Sequence, residues 1–399
     1  MVTSRSNWTG IAFGLGLSYL AAYHLFKLPP VLPRLLDAYH YDRLLAGAFM
    51  SVNAAVGLCL SLPVSRSLAR GGAFGAILGA LIALIAGSAL ALAIPENGWV
   101  MLAGRAAEGV GFAVLAISGP LLANACAAPR HLPIIAGMAA SWIPVGQIAA
   151  TLLTFVGQGW RMLWAAGIIA GLGFILLTLR LRARGTVDFS LGAKRAATRA
   201  PADRSAAPGI RRLSLVLAAT IFALWVGQYF AYMTWLPQYL VDVHGLTAST
   251  AVVGYAVPVV ILIVANQAAG ALLRAGAPFG PLFALGLAVQ TAVWWTIPAI
   301  GSDAGGLVSL IAYGIAAGVC TTCVFALPGV LAGQGPGAAS AFGVLMTGRN
   351  LGVLIGPVLL AQAFEITNAW DIAVPIFGTV TSLALGLGLW LAVILGGGR

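Results

Sequence analysis

Of 399 residues, 60% are hydrophobic and 8% carry charge, and the mean hydropathy is +0.99. A soluble domain holds about 25% charged residues, so this chain lacks the polar side chains to cover a water-facing surface, and lipid must solvate much of it. The formal net charge of +11 does not point to nucleic acid, because the basic residues fall in short gaps between apolar runs and no basic helix with interleaved aromatics occurs.

A membrane span needs about 20 predominantly apolar residues. Twelve runs meet this requirement, at 8–33, 43–65, 72–94, 98–124, 132–157, 161–180, 213–241, 249–272, 280–300, 305–331, 338–364 and 371–395. The first is too long for a signal-peptide core of about 7–15 residues and reads as a span. The connections are short except for Leu181 to Arg212, which is polar, rich in Ala and Arg, and has room for an amphipathic helix at the membrane surface. The expected fold is an all-α membrane protein of twelve transmembrane helices in two pseudo-symmetric six-helix bundles. Residues 1–180 and 213–399 form the bundles, and 181–212 form a basic cytoplasmic linker.

Lys and Arg concentrate on the cytoplasmic side of membrane proteins. With both termini inside, the inner loops collect Arg5, Arg66, Arg70, Arg130, Arg274, Arg399 and the basic group of 180–212. The outer loops keep Arg34, Arg43 and Arg161, together with Asp37, Asp42, Glu96, Asp242, Asp303, Glu365 and Asp371. One span more or fewer would scramble this separation. The expected location is the inner (cytoplasmic) membrane, multi-pass, with both termini in the cytoplasm.

The halves look duplicated. Arg70 to Gly72 recurs as Arg274 to Gly276 (274 − 70 = 204), Leu28-Pro29 as Leu236-Pro237 (236 − 28 = 208), and Gly137 and Gly146 as Gly343 and Gly352 (343 − 137 = 206). Internal repeats of this kind put a substrate site between the halves, near the bilayer midplane. Gly71, Gly75, Gly79, Ala83 and Gly87 form a small-residue ridge on span three, and Gly378, Ser382 and Gly386 one on span twelve. Such ridges suit close helix packing.

Span four carries Arg105-Ala-Ala-Glu108-Gly109-Val-Gly111, and span six opens on Trp160-Arg161. With twelve spans and a basic central loop, these features resemble the major facilitator superfamily over nearly the whole chain. That family shows R-x-x-Q/E-G-x-G in span four and G-x-L-A-D-R-x-G-R-R after span two. In the second place this chain has Ser61 to Arg70 with Ser65 at the acidic position, so only the basic part is kept. The resemblance implies gating contacts at Arg66, Arg70 and Arg274, and a cavity lined by spans one and seven. Tyr232-Met-Thr-Trp235-Leu-Pro237 is similar to the cyanate and related small-anion branch. The span-five signature of drug/proton antiporters is matched poorly by Ser141 to Gln147.

Within the spans the formal charges are Lys27, Arg105, Glu108 and Arg349, with His24 as a further titratable group. Such residues are costly in a bilayer and usually face a cavity or a partner. Arg105 and Glu108, three apart, share a helix face, either as a brace or as a proton-loaded switch that frees Arg105. Lys27 shares a face with His24 and either snorkels outward or lines the cavity. His24 is either a titrating group or a neutral hydrogen-bonder. Arg349 has small neighbours, and its guanidinium fork suits a planar anion. Three bases against one acid favour an anionic solute. Gln147, Tyr232 and Gln267 are the polar groups expected to complete the site.

Four histidines without HxxH spacing exclude a zinc cluster, and no cofactor or bound metal is expected. Cys320 and Cys323 would suit a soft metal, but without nearby Met or His they read as small buried residues. The expected function is a secondary active transporter, symporter or antiporter. It moves a small anionic solute by alternating access, with Lys27, Arg105 and Arg349 binding and Glu108 and His24 carrying protons. The rival reading is an efflux pump for hydrophobic or cationic compounds. A membrane enzyme would need clustered His, Asp or Glu, which the sequence lacks.

Overall fold

The computed structural model describes residues 6–69, 73–128, 131, 135, 138, 141–156, 159–189, 208–297, 304–332 and 336–396. Arg5, Arg70, Gly71, Gly72, Arg130, Gly137, Asp303, Arg399 and residues 190–207 of the expected linker lie outside these ranges. The side chains of Ser65, Arg66 and Gly343 are likewise outside the description.

The described residues are helical almost throughout. In order, the helices are α1 (Trp8–Phe26), α2 (Arg43–Ala69), α3 (Ala73–Ala93), α4 (Gly98–Ala125), α5 (Trp142–Val156), α6 (Trp160–Ala183), α7 (Pro208–His244), α8 (Ala248–Arg274), α9 (Phe279–Thr296), α10 (Ala304–Ala332), α11 (Pro336–Thr367) and α12 (Ala373–Gly396). Eleven helical segments are long and apolar enough to cross a membrane, and α5, with 15 residues, is shorter.

Local chemistry sets the ends. Asn7 caps α1 by accepting the Gly10 N–H at 3.0 Å, Asn97 caps α4, and Thr247 caps α8. Gly185 and Gly276 terminate α6 and α8 at positive φ, where a side chain would be strained. The first span, expected over 8–33, is not one continuous helix, because Pro29 and Pro30 interrupt it. The chain passes through a 3₁₀ turn at Pro29–Val31 into a short helix, Leu32–Tyr39. Helix α6 overruns the expected bundle edge at 180, where Arg180 and Arg182 suit the C-terminal dipole end, and α7 starts ahead of the expected edge at 213, on Pro208, a residue suited to a first helical position.

The chain divides into two compact units, Met1–Thr198 and Arg199–Arg399. In the first, α4 packs on α1, α2 and α3, α1 packs on α5, and α3 packs on α6. In the second, α10 packs on α7, α8 and α9, α7 packs on α11, and α9 packs on α12. Adding six to each helix number turns one set into the other, so each unit is the same six-helix bundle built twice.

The expected linker is not polar throughout. Asn7 Nδ2 donates to the Thr186 carbonyl at 2.6 Å, Val187 and Phe189 are buried, and the Phe189 ring meets Phe13 and Phe74. Residues 184–189 therefore belong to the first bundle. The expected glycine ridges also need correction. A Cβ placed at Gly75, Gly79 or Gly386 would meet nothing within 4 Å, whereas one at Gly87 would strike α4 and one at Gly378 the Trp295 ring of α9. The tight seams lie elsewhere. Gly348, Gly352 and Gly356 of α11 are pressed against the backbone of Ala219, Ala223 and Gly227 of α7.

Candidate functional site

Four of the charged and titratable residues singled out in the sequence meet in the first bundle. Lys27 Nζ, one residue past α1, donates to Glu108 Oε1 at 2.5 Å, to Ser88 Oγ at 2.8 Å and to His24 Nδ1 at 3.3 Å. Arg105 Nη1 reaches Glu108 Oε2 at 2.6 Å. Ser88 of α3 passes the chain on by donating to Glu108 Oε1 at 2.5 Å. Trp164 of α6 lays its ring 4.5 Å from the Lys27 ammonium, a cation–π contact.

Helical spacing explains the meeting. His24 and Lys27 are three apart at the end of α1, and Arg105 and Glu108 are three apart on α4, so each pair shares a face. Gly87 and Gly104 let α3 and α4 approach closely, which brings Ser88 onto the carboxylate.

Arg105 gives three further donors to carbonyls: His24 at 2.7 Å, Leu25 at 3.1 Å and Phe49 at 3.1 Å. It thereby ties α4 to α1 and α2. Lys27 does not snorkel; it is 0% exposed, as are Arg105 and Glu108. Its three donors are accounted for by Glu108, Ser88 and His24 Nδ1. His24 Nε2 is buried without a hydrogen-bond partner and lies against α6 at Gly167, where a Cβ would come within 3.0 Å of it.

The second bundle has an aromatic and amide network at the equivalent place. The repeat mates of His24, Lys27 and Arg105, at an offset of 208, are Tyr232, Trp235 and Tyr313. Tyr232 and Tyr313 stack with centroids 3.7 Å apart, and Gln228 Oε1 accepts from Trp294 Nε1 at 2.8 Å and Tyr313 OH at 3.0 Å. A parallel bond runs from Trp225 Nε1 to Gln290 Oε1 at 2.8 Å. One pseudo-symmetric bundle is thus held by charge and the other by stacked rings.

The other expected site residues are more scattered. Gln147 is buried on α5, whose neighbour Gly146 touches α1 at Ala22 and Tyr23. Arg349 on α11 is 6% exposed, donates to Asn350 Oδ1 at 2.9 Å and lies 5.8 Å from the Phe230 ring centroid. Gln267 is exposed on α8, and Arg274 is exposed at the end of α8. Ser88, Trp164, Gln290 and Tyr313 were not anticipated. The repeat offset from Arg105 could have found Tyr313, and the lone hydroxyl of an otherwise apolar stretch could have found Ser88. Among the described residues, no group of three or more His, Cys, Asp or Glu could hold a metal ion.

The model of the Major Facilitator Superfamily matches residues 11–357. Two solved structures share the fold. The human organic anion transporter MFSD10 (TETRAN) is 16% identical with a TM-score of 0.70, over 96% of this chain and 100% of that one. A bacterial homolog of the human lysosomal transporter Spinster, in an inward-facing and unoccupied conformation, is 14% identical with a TM-score of 0.69, over 98% of this chain and 95% of that one. No curated protein sequence matches significantly. With most of its length inside the family model and both neighbours being transporters, the chain belongs to the Major Facilitator Superfamily and is a multi-pass membrane transporter, not an enzyme.

Proposed function

We propose that the protein carries a small anionic solute across the inner membrane by alternating access, coupled to protons. Both termini are cytoplasmic on this reading, as the loop charges require. The observation that carries it is the balance of buried charge. Among the described residues, the buried ionised side chains are Lys27, Arg105 and Arg349 against Glu108 alone. Such an excess attracts an anion. The short resemblance of Tyr232 to Pro237 to the small-anion branch points the same way, and one fold neighbour is itself an organic anion transporter.

On this reading Glu108 is the coupling group. Protonating Glu108 removes the one negative charge that holds Lys27 and Arg105, leaving two cations in a dry site. An anion reaching them restores the balance, so proton and anion each favour the other's binding, which is the linkage that symport needs. On this reading His24, 3.3 Å from Lys27 Nζ, relays the proton. Arg349, Gln147, Tyr232 and Gln267 remain candidates for direct solute contact, and Arg66, Arg70 and Arg274 for gating.

The test is uptake into proteoliposomes, with a panel of small carboxylates and inorganic anions and an imposed inward proton gradient. The expected result is gradient-stimulated uptake of at least one anion, lost in Lys27→Met and in Arg349→Ala. Wild-type uptake rates in both variants would sink the reading.

A further inference from the structure

Along α3, an otherwise apolar helix, Ser88 is the single polar side chain. It is fully buried. Backbone contact fixes the seam that carries it. A Cβ at Gly87 would run into the Gly104 carbonyl and, at 2.9 Å, the Glu108 side chain, and one at Gly104 would come 2.7 Å from the Gly87 carbonyl. Ser88, the next residue along, therefore has its hydroxyl held on the Glu108 carboxylate. Its Oγ donates to Oε1 at 2.5 Å and accepts from Lys27 Nζ at 2.8 Å.

The charged side chains around that carboxylate serve only its ionised form. Lys27 and Arg105 are donors with no lone pair to offer. A protonated Glu108 has an O–H of its own, and burying that hydrogen without an acceptor is costly. His24 Nδ1 lies 3.6 Å from Oε1, beyond hydrogen-bond reach, and is already engaged by Lys27 at 3.3 Å. Tyr23, the remaining titratable group nearby, turns its hydroxyl to the Leu163 carbonyl at 2.6 Å. A serine hydroxyl differs from all of these, because it can donate to a carboxylate and accept from a carboxylic acid.

We propose that Ser88 is the positioning residue for proton coupling, an assignment that rests on the symport reading. It accepts the O–H of protonated Glu108 and so directs the proton to Oε1, the oxygen that holds Lys27. The hydrogens balance. The proton joins Oε1, and the Ser88 hydrogen rotates to the Leu84 carbonyl four residues back, an acceptor open to a helical serine. The two lone pairs of Oγ then take the Glu108 O–H and the Lys27 ammonium, and Ser88 neither gains nor loses a proton. Lys27 loses its anionic partner, while Arg105 stays on Oε2 and its three carbonyls. The cation released to the solute is therefore Lys27.

Ser88→Ala and Ser88→Cys test the assignment, the second nearly keeping the side-chain volume while its thiol is only a weak donor and acceptor. The probe is the radiolabelled anion, from the panel of small carboxylates and inorganic anions, that the wild type accumulates under a proton gradient. Two rates are compared in the same proteoliposomes: net gradient-driven uptake, and exchange of internal for external anion at equal pH. Net uptake requires Glu108 to gain and release its proton in every cycle. Exchange does not, because the carrier reorients fully loaded. Net uptake should fall about tenfold, the size of one hydrogen bond to a charged group, with exchange within about twofold of wild type. Loss of exchange in proportion to net uptake would give Ser88 a packing role only, and wild-type net uptake in both variants would remove it from coupling. Either result overturns the inference and leaves the anion–proton reading standing. If the wild type accumulates no anion under the gradient, that reading falls and the inference with it.

Discussion

At the scale of single residues, Lys27 and Arg105 share one carboxylate, at 2.5 and 2.6 Å, with no solvent exposure. The two cations are not equally dependent on it. Arg105 keeps three backbone carbonyls if Glu108 is neutralised, whereas Lys27 keeps only Ser88, His24 and the Trp164 face. Removing the acid leaves a net charge of two in a dry site; removing the lysine leaves a balanced Arg105–Glu108 pair. Breaking a buried pair by deleting one partner costs about 3–5 kcal/mol. Glu108→Gln should therefore lower the thermal unfolding midpoint by roughly 10 °C, taking about 2–4 °C per kcal/mol for a unit of this size. Lys27→Met should cost about 1 kcal/mol, because the charges that remain are matched. A melt in which Lys27→Met is the more damaging of the two would show that the ammonium, and not the carboxylate, organises the cluster.

At the scale of helices, the tight seams are made by small residues, but not by those whose spacing is plainest in the sequence. The ridge on span three was legible as a row of glycines every four residues. A repeat of small residues does not state which side of the helix meets a neighbour, and Gly75 and Gly79 face open space. The α7–α11 seam has the same four-residue step on both partners, Ala219, Ala223 and Gly227 against Gly348, Gly352 and Gly356. There the obstacle to a Cβ is backbone carbonyl oxygen, which cannot rotate away as a side chain can. Gly352→Ala should thus destabilise by about 1–3 kcal/mol through overpacking. Gly79→Ala, with nothing within 4 Å, should leave the melt within about 0.5 kcal/mol of wild type. Comparing the two variants in one melting series separates packing from a general effect of losing glycine.

At the scale of the whole molecule, what the sequence made legible was whatever depends on local composition. Hydropathy runs located the spans because crossing a bilayer imposes a length on each one, and the shared offset near 205 residues exposed the duplication that the helix packing repeats. The meeting of His24 and Lys27 with Arg105 and Glu108 was half legible, since each pair shows its own face but not its partner. Ser88 and Trp164 were not legible, because nothing local marks which hydroxyl or indole will face a charge across a helix seam. Loop charge is also a local property, and it makes a prediction about orientation that α8 can test by itself. Its 27 residues span about 40 Å, enough to cross the membrane with an end on each side. Ser249 lies at one end and Ala275 at the other, both exposed. The basic residue of this helix, Arg274, is at the Ala275 end, while Asp242 lies just before the Ser249 end. The native thiols are replaced first; of these, Cys126, just past α4, has its pKa raised by burial and by Asp188 and is a poor nucleophile near neutral pH. In that background, Ser249→Cys should react with a membrane-impermeant maleimide on intact cells, and Ala275→Cys only after permeabilisation. The opposite labelling pattern would invert the orientation, and with it the assignment of the acidic end of the second bundle to the outside.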